Sequence, residues 1–245
     1  MKIKKFETVD SLPCLYSEEL DILILSDLHL GLEGSMSYQG SYVPQFQLEE
    51  VKKDVRHAQE LTEADRILLN GDLKHEFKYT RFSEKKEIEE FMEMLKDLFS
   101  EIIVIEGNHD SFLDEVIEGA KIHFKESHLE NGILFLHGHK SLDNYQDEEF
   151  DTVVIGHEHP ALELKDSVGY TEKIDCFLYG ETDDGKDIVI LPAFSKISGG
   201  SDVNNVPQNQ LLSPILRNKL EKGELQAIGV SKEAGLFEFT ELRKL

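Results

Sequence analysis

The chain has 245 residues, 40% of them hydrophobic, and carries 49 acidic against 26 basic side chains for a net charge of -23. That balance favours solubility and speaks against broad, avid binding to a phosphate backbone, although bound metal ions would reverse its sign locally. No apolar run approaches the ~20 residues of a membrane span, the basic Met1–Lys5 start has no apolar core behind it, and two cysteines make no disulfide framework, so no membrane partner and a reducing cytoplasm are expected.

The length suits one large α/β domain. No Pro/Gly/Ser linker, internal repeat or low-complexity tract divides it, so a single domain over 1–245 is expected. Residues 1–20 read as an edge strand and turn. Ile22–Leu25 is an apolar run short enough for a strand buried on both faces. It ends in Asp27 and His29, which an extended chain would point the same way. Leu32–Pro44, rich in Gly, Ser and Tyr, reads as a loop. Val51, Val55, Ala58 and Leu61 recur at helical spacing, which predicts an amphipathic helix over Gln45–Leu61. Arg66–Asn70 is the next strand and ends in Gly71-Asp72. Ser83 is placed to cap a helix with an apolar face of Ile88, Phe91, Met92, Leu95, Leu98 and Phe99. Ile102–Ile105 is a strand ending in Gly107-Asn108-His109-Asp110.

In the second half, Ile133–Leu136 is a strand ending in His137-Gly138-His139. Asp143–Asp151 is a short helix or solvated loop. Thr152–Ile155 is a strand ending in Gly156-His157-Glu158-His159. Further strands are expected at Ala161–Leu164, Asp175–Tyr179, Ile188–Leu191, Ala227–Val230 and Leu236–Thr240. Pro192–Pro214 is long for a structureless connection, and such loops are often functional; it is expected over the active site, the alternative being a segment that wraps the second sheet. Strand–helix alternation followed by a strand-rich half predicts a layered α/β fold with a second, mixed sheet.

Five apolar strands thus each end in a polar cluster, and functional groups gather at the carboxyl ends of strands in open α/β sheets. Any one cluster is compatible with ordinary turn chemistry, since Gly-Asp and Gly-Asn are common turn dipeptides. All five in order are not. The series Asp-x-His, Gly-Asp, Gly-Asn-His-Asp, His-Gly-His, Gly-His-x-His, from Asp27 to His159, resembles the calcineurin-like metallophosphoesterase superfamily. The segments Gly71–Phe77 and Leu211-Leu212-Ser213-Pro214 resemble an archaeal branch related to the SbcD-type nuclease subunit of double-strand-break repair complexes.

The resemblance implies a four-layer α-β-β-α sandwich of two mixed sheets flanked by helices. It implies that Asp27, His29 and His159 bind one metal, that Asn108, His137 and His157 bind a second, and that Asp72 bridges the two. His109 would be the proton donor, oriented by Asp110. His139 is the alternative to His137 as ligand. His75 is either a substrate contact or a satisfied loop histidine. Imidazoles with carboxylates and one amide suit two divalent ions, manganese first, with iron or zinc as alternatives, and poorly suit magnesium alone.

Two such cations would acidify a bridging water for in-line attack on phosphorus. The expected function is therefore phosphodiester hydrolysis, as a nuclease on DNA or RNA, which a protein partner could deliver. The acidic charge points instead to a cyclic nucleotide or other small diester. A non-catalytic scaffold with the same fold is the competing class, against which the full ligand set and proton donor stand.

Overall fold

The structure is a computed structural model and describes every residue except 42, 78–79 and 166–167. The first sheet is built from β1 (Lys2–Ile3), β2 (Phe6–Thr8), β3 (Leu15–Ser17), β4 (Ile22–Leu25), β5 (Arg66–Leu69), β6 (Glu101–Ile105) and β7 (Ile122–Lys125), in that spatial order. β1 to β4 form an antiparallel meander, and β4 to β7 are parallel. The second sheet is built from β8 (Ser127–Glu130), β9 (Ile133–Leu136), β10 (Thr152–Ile155), β11 (Pro160–Lys165), β12 (Thr171–Glu181), β13 (Asp187–Ile190) and β14 (Ser201–Asp202), in the order β14-β11-β12-β13-β10-β9-β8. β15 (Gln226–Ser231) pairs with β12, and β16 (Gly235–Glu241) pairs with β15. Within this sheet β9, β10 and β13 are mutually parallel.

Strand residues alternate between two cores, which is why both sheets read as unbroken apolar runs. Ile22 and Ile24 face the second sheet, where they meet Phe135, Val154, Phe177 and Val189. Leu23 and Leu25 face outward onto the helices α2 (Gln47–Thr62) and α3 (Phe82–Leu98), against Val51, Val55, Ile88, Phe91 and Leu95. On the far side of the second sheet, Val153, Ile155 and Ile190 pack under α4 (Pro214–Asn218) and its flanking turns. The chain is therefore the expected sandwich of two mixed sheets between helical layers. Its fourth layer is thin, one five-residue helix with short turns, because the strand-rich second half leaves little chain for helices.

Several elements differ from the sequence reading, among them residues 1–20, which hold three short strands in place of one edge strand. The segment from Leu32 is not all loop: α1 spans Leu32–Tyr38. Its serines and glycine are poor helix formers, and what holds it is tertiary. Glu33 accepts the Phe46 and Gln47 N–H groups, and Ser35 donates to Glu76. Ser83 lies inside α3 rather than capping it; the Glu84 carboxylate accepts the Arg81 N–H at the helix start. β7 and β8 were not foreseen, and their half-exposed, polar-interrupted sequences explain why. The Asp143–Asp151 region agrees with its reading as a short helix or solvated loop, beginning in a 3-10 turn over Leu142–Tyr145. No helix among the described residues is long and apolar enough to cross a membrane.

Polar ties across the sandwich supplement the inner core. Arg66 on β5 donates to both Glu130 carboxylate oxygens on β8, each at 2.9 Å, and to Glu101 at 2.6 Å. Phe135, fully buried between the sheets, meets Phe6 edge to face at 6.4 Å. Phe135→Ala should cost about 3–5 kcal/mol of unfolding free energy, measured by urea titration. A loss under about 1 kcal/mol would show that the inter-sheet core is not the main stabilising layer.

Candidate metal centre

The carboxyl ends of β4, β5, β6, β9 and β10 converge at one end of the sandwich. There Asp27, His29 and His159 form one group whose ligand atoms lie within 4.8 Å of one another, and Asp72, His137 and His157 form a second. Asp72 faces both. Its Oδ2 is 3.3 Å from His137 Nε2 and 3.8 Å from His29 Nε2. Asn108 Oδ1 lies 3.2 Å from His137 Nε2. Asp27 Oδ1 is 3.0 Å from His159 Nε2. His139 is in neither group; its ring centroid stands 5.4 Å from that of His137.

The convergence is not the extended-strand geometry expected for Asp27 and His29. Asp27, His29, Asp72, His157 and His159 all have positive φ, between 46° and 67°. Asp and His are among the few residues enriched in that left-handed region. Backbone bonds hold it: Asp27 N–H donates to the Gly71 carbonyl and His29 N–H to the Asp72 carbonyl, both at 3.0 Å. Two glycines clear the space. A Cβ on Gly156 would lie 1.9 Å from Ser26 Oγ and 2.5 Å from Asp27 Oδ2, and one on Gly107 2.1 Å from Asp72 Oδ1.

Surrounding groups aim the ligands. His137 Nδ1 donates to the Asn70 carbonyl at 3.0 Å, which turns Nε2 toward Asp72. His159 Nδ1 is 3.2 Å from Ser198 Oγ, which turns its Nε2 toward Asp27. Gln47 donates to the Leu28 and His29 carbonyls and accepts from Ser195 Oγ. Phe194 and Ser195 donate backbone N–H groups to the Ser26 and Asp27 carbonyls. So the start of the 192–214 segment runs bonded along the ligand loop, and its middle adds β14 to the second sheet. Sequence reasoning did not single out Ser26, Gln47, Asn70, Ser195 or Ser198, which lie outside the strand-end motifs or carry no ligand-type side chain.

His109 lies beside the second group, its Nε2 3.8 Å from Asp72 Oδ2. Its Nδ1 bonds to the backbone carbonyl of His75. This replaces the contact expected from Asp110, whose buried carboxylate instead accepts the Gly107 and Lys74 N–H groups at 2.8 and 3.2 Å. Asp110 therefore fixes the turn carrying His109 and not the imidazole. The His75 side chain groups with His29 and His109.

Electrostatics follow from burial against close opposite charge. Burial raises the Asp72 carboxyl, but His137, His109 and His29 outweigh it and hold it below the ordinary range. Burial would lower His137, yet Asp72 and Asp27 lift it to about 9. Burial pushes His29 down to about 3, and burial with His137 pushes His157 down to about 4. Imidazoles, carboxylates and an amide without thiolate fit divalent first-row ions, and the missing side chains of Gly107 and Gly156 let the Asp72 and Asp27 carboxylates occupy positions a Cβ would block.

Two outcomes test the centre. His137 in the metal-free chain keeps its proton up to about pH 9, and a metal must displace it. Loading at pH 7 should release about one proton per chain from this site, and affinity should rise with pH toward 9. Calorimetry in buffers of different ionisation enthalpy measures this, and metal uptake without proton release would exclude His137 as a ligand. Gly156→Ala should cut metal content, by elemental analysis, to about one ion per chain or fewer while the far-ultraviolet dichroism stays native; a full complement would show that Asp27 tolerates displacement.

The sequence has no significant match among curated proteins. Its fold is similar to the crystal structure of the nuclease MPE from Pseudomonas putida, at 15% identity and TM-score 0.62, covering 94% of this chain and 93% of that one. The phosphoesterase Yfce from E. coli aligns at 15% identity and TM-score 0.40 over 90% and 98%, and a Vps29 single mutant from Entamoeba histolytica at 14% and 0.37 over 89% and 99%. The calcineurin-like phosphoesterase family matches residues 20–206. That stretch contains all five strand-end clusters, and the chain belongs to this family of metal-dependent hydrolases.

Proposed function

We propose that the chain hydrolyses phosphodiester bonds, with a nucleic acid or nucleotide diester as substrate. The observation that carries this is Asp72, a buried carboxylate faced by imidazoles of both ligand groups, with His109 alongside. In this reading Asp27, His29 and His159 hold one ion, Asn108, His137 and His157 the other, and Asp72 is shared. Two divalent ions there, manganese foremost, would neutralise phosphoryl charge and acidify a water.

A diester rather than a monoester is supported by charge. Among the described residues no Lys or Arg pairs with Asp27 or Asp72, so protein cations add little to neutralise a phosphate. A diester carries one negative charge, a monoester nearly two. The fold-level likeness to a nuclease, and the Gly71–Phe77 and Leu211–Pro214 segments, support nucleic acid. The net charge of -23 supports a short or partner-delivered substrate over a long duplex.

His109 is the proton donor in this reading. Its Nδ1 is committed to the His75 carbonyl, so on the protonated ring Nε2–H is the proton available to a leaving oxygen. General acid catalysis contributes about 10²–10⁴-fold. His109→Ala should lose roughly that factor on an alkoxide-leaving diester and noticeably less on a nitrophenyl ester, whose leaving group departs unprotonated, with metal content unchanged. Equal losses on both esters, or a missing metal, would refute the donor role.

Asp72→Asn should leave fewer than two ions per chain and abolish turnover across a panel of aryl diester, cyclic nucleotides and single- and double-stranded DNA with manganese. No turnover of any panel member by the manganese-loaded wild type would favour the scaffold reading.

A further inference from the structure

One aromatic side chain in the centre has no part in metal binding. Phe77 stacks on the His109 ring, with centroids 3.6 Å apart and planes 33° from parallel. It is nevertheless 52% exposed. A phenyl ring that only shielded the imidazole would be expected to bury its other face too. The neighbouring residue, Glu76, accepts from Arg81 Nε at 2.9 Å. The Arg81 guanidinium lies 4.3 Å over the ring of Tyr38, itself 77% exposed. Two further planar groups, Arg81 and Tyr38, are thus tied through Glu76 to the segment that carries Phe77.

We propose that Phe77 is a stacking platform for the nucleobase on the leaving-group side of the scissile bond, and that Arg81 and Tyr38 continue the track for the next bases of a single strand. The placement follows from His109, which gives its proton to the leaving oxygen, so the ring stacked on it neighbours the leaving nucleoside. The chemistry fits the charge. With a net charge of -23 the protein gains little from a phosphate backbone, so base stacking on aromatic and guanidinium planes would carry a larger share of the binding than it does beside a basic groove. A paired base has both faces covered by its neighbours, so the track selects unpaired nucleotides. Phe77 is then a specificity residue. The inference rests on the phosphodiester reading above.

The test uses manganese-loaded full-length protein and three dinucleoside monophosphates: thymidine on both sides, and an abasic sugar replacing one or the other thymidine. The products identify which oxygen left. Wild type should prefer a base on the leaving-group side by about 5–100-fold in kcat/KM, the range expected for one stacked base. Phe77→Leu should bring that preference to within about threefold, and Phe77→Trp should keep it. The base on the other side should show no dependence on residue 77.

Loss of contact with His109 would lower both rates together and leave the ratio in place, so the ratio separates stacking from support of the imidazole. Tyr38→Leu should weaken binding of strands of several nucleotides but not of dinucleotides. A base preference unchanged in Phe77→Leu, or absent in wild type, overturns the proposal while hydrolysis itself upholds the phosphodiester reading. Hydrolysis of none of the three, under conditions where an aryl phosphate is cleaved, overturns both.

Discussion

Two carboxylates, Asp27 and Asp72, are almost wholly buried, and among the described residues neither is paired with a lysine or arginine. Burying an uncompensated ion costs several kcal/mol even after relaxation. In this chain the compensation is imidazole rings, backbone N–H groups and the Ser26 hydroxyl. The leading imidazole is His137 for Asp72 and His159 for Asp27, and the raised pKa of each ring is the mark of that role. The same pocket that is uncomfortable for bare carboxylates is suited to cations, which would relieve both acids at once. Much of the local architecture serves to keep these two acids together.

That architecture works through the backbone more than through side-chain packing. Strands of one sheet deliver Asp27, Asp72 and Asn108, and strands of the other deliver His137, His157 and His159. The loops after β4, β5 and β10 leave their strands through left-handed residues, Asp27 and His29, Asp72, and His157 and His159, in place of extended geometry. Such conformations persist when the surroundings over-determine them. Here the ties are Gly71 and Asp72 carbonyls, the Phe194–Ser195 backbone, and Gln47 from the start of α2. The first residue of α2 is thus part of what fixes the Asp27–His29 loop. Glu84 plays a similar part on the other side, accepting the N–H groups of His75 and Glu76 and thereby steadying the carbonyl that holds His109.

The exposed edge of the centre differs in character from its floor. The floor is polar, buried and crowded with candidate ligands. The edge is aromatic, with Phe77 against His109, and Tyr38 exposed under Arg81. In the proposed reading this division leaves the phosphate to the centre and whatever is attached to it to the edge. Substrate choice would then reside in residues that hold no metal.

Most of the strands were legible because their physics is local. Ile22–Leu25, Arg66–Leu69, Ile133–Leu136 and Thr152–Ile155 are apolar runs bounded by turn residues, and burial on both faces demands just that. The apolar face of α3 was legible for the same reason. α1 was not, since its helical state depends on Glu33 and Ser35 finding partners in distant segments. β7 and β8 were not, since half-exposed strands keep polar residues that blur the pattern. The order of the clusters pointed to a candidate metal centre, because ligand chemistry is written in residue type. What residue type cannot carry is aim. Asp110 looked like the partner of His109 by adjacency, yet the tertiary structure gave that place to the His75 carbonyl, and every backbone carbonyl is chemically alike until folding decides which one points at the ring.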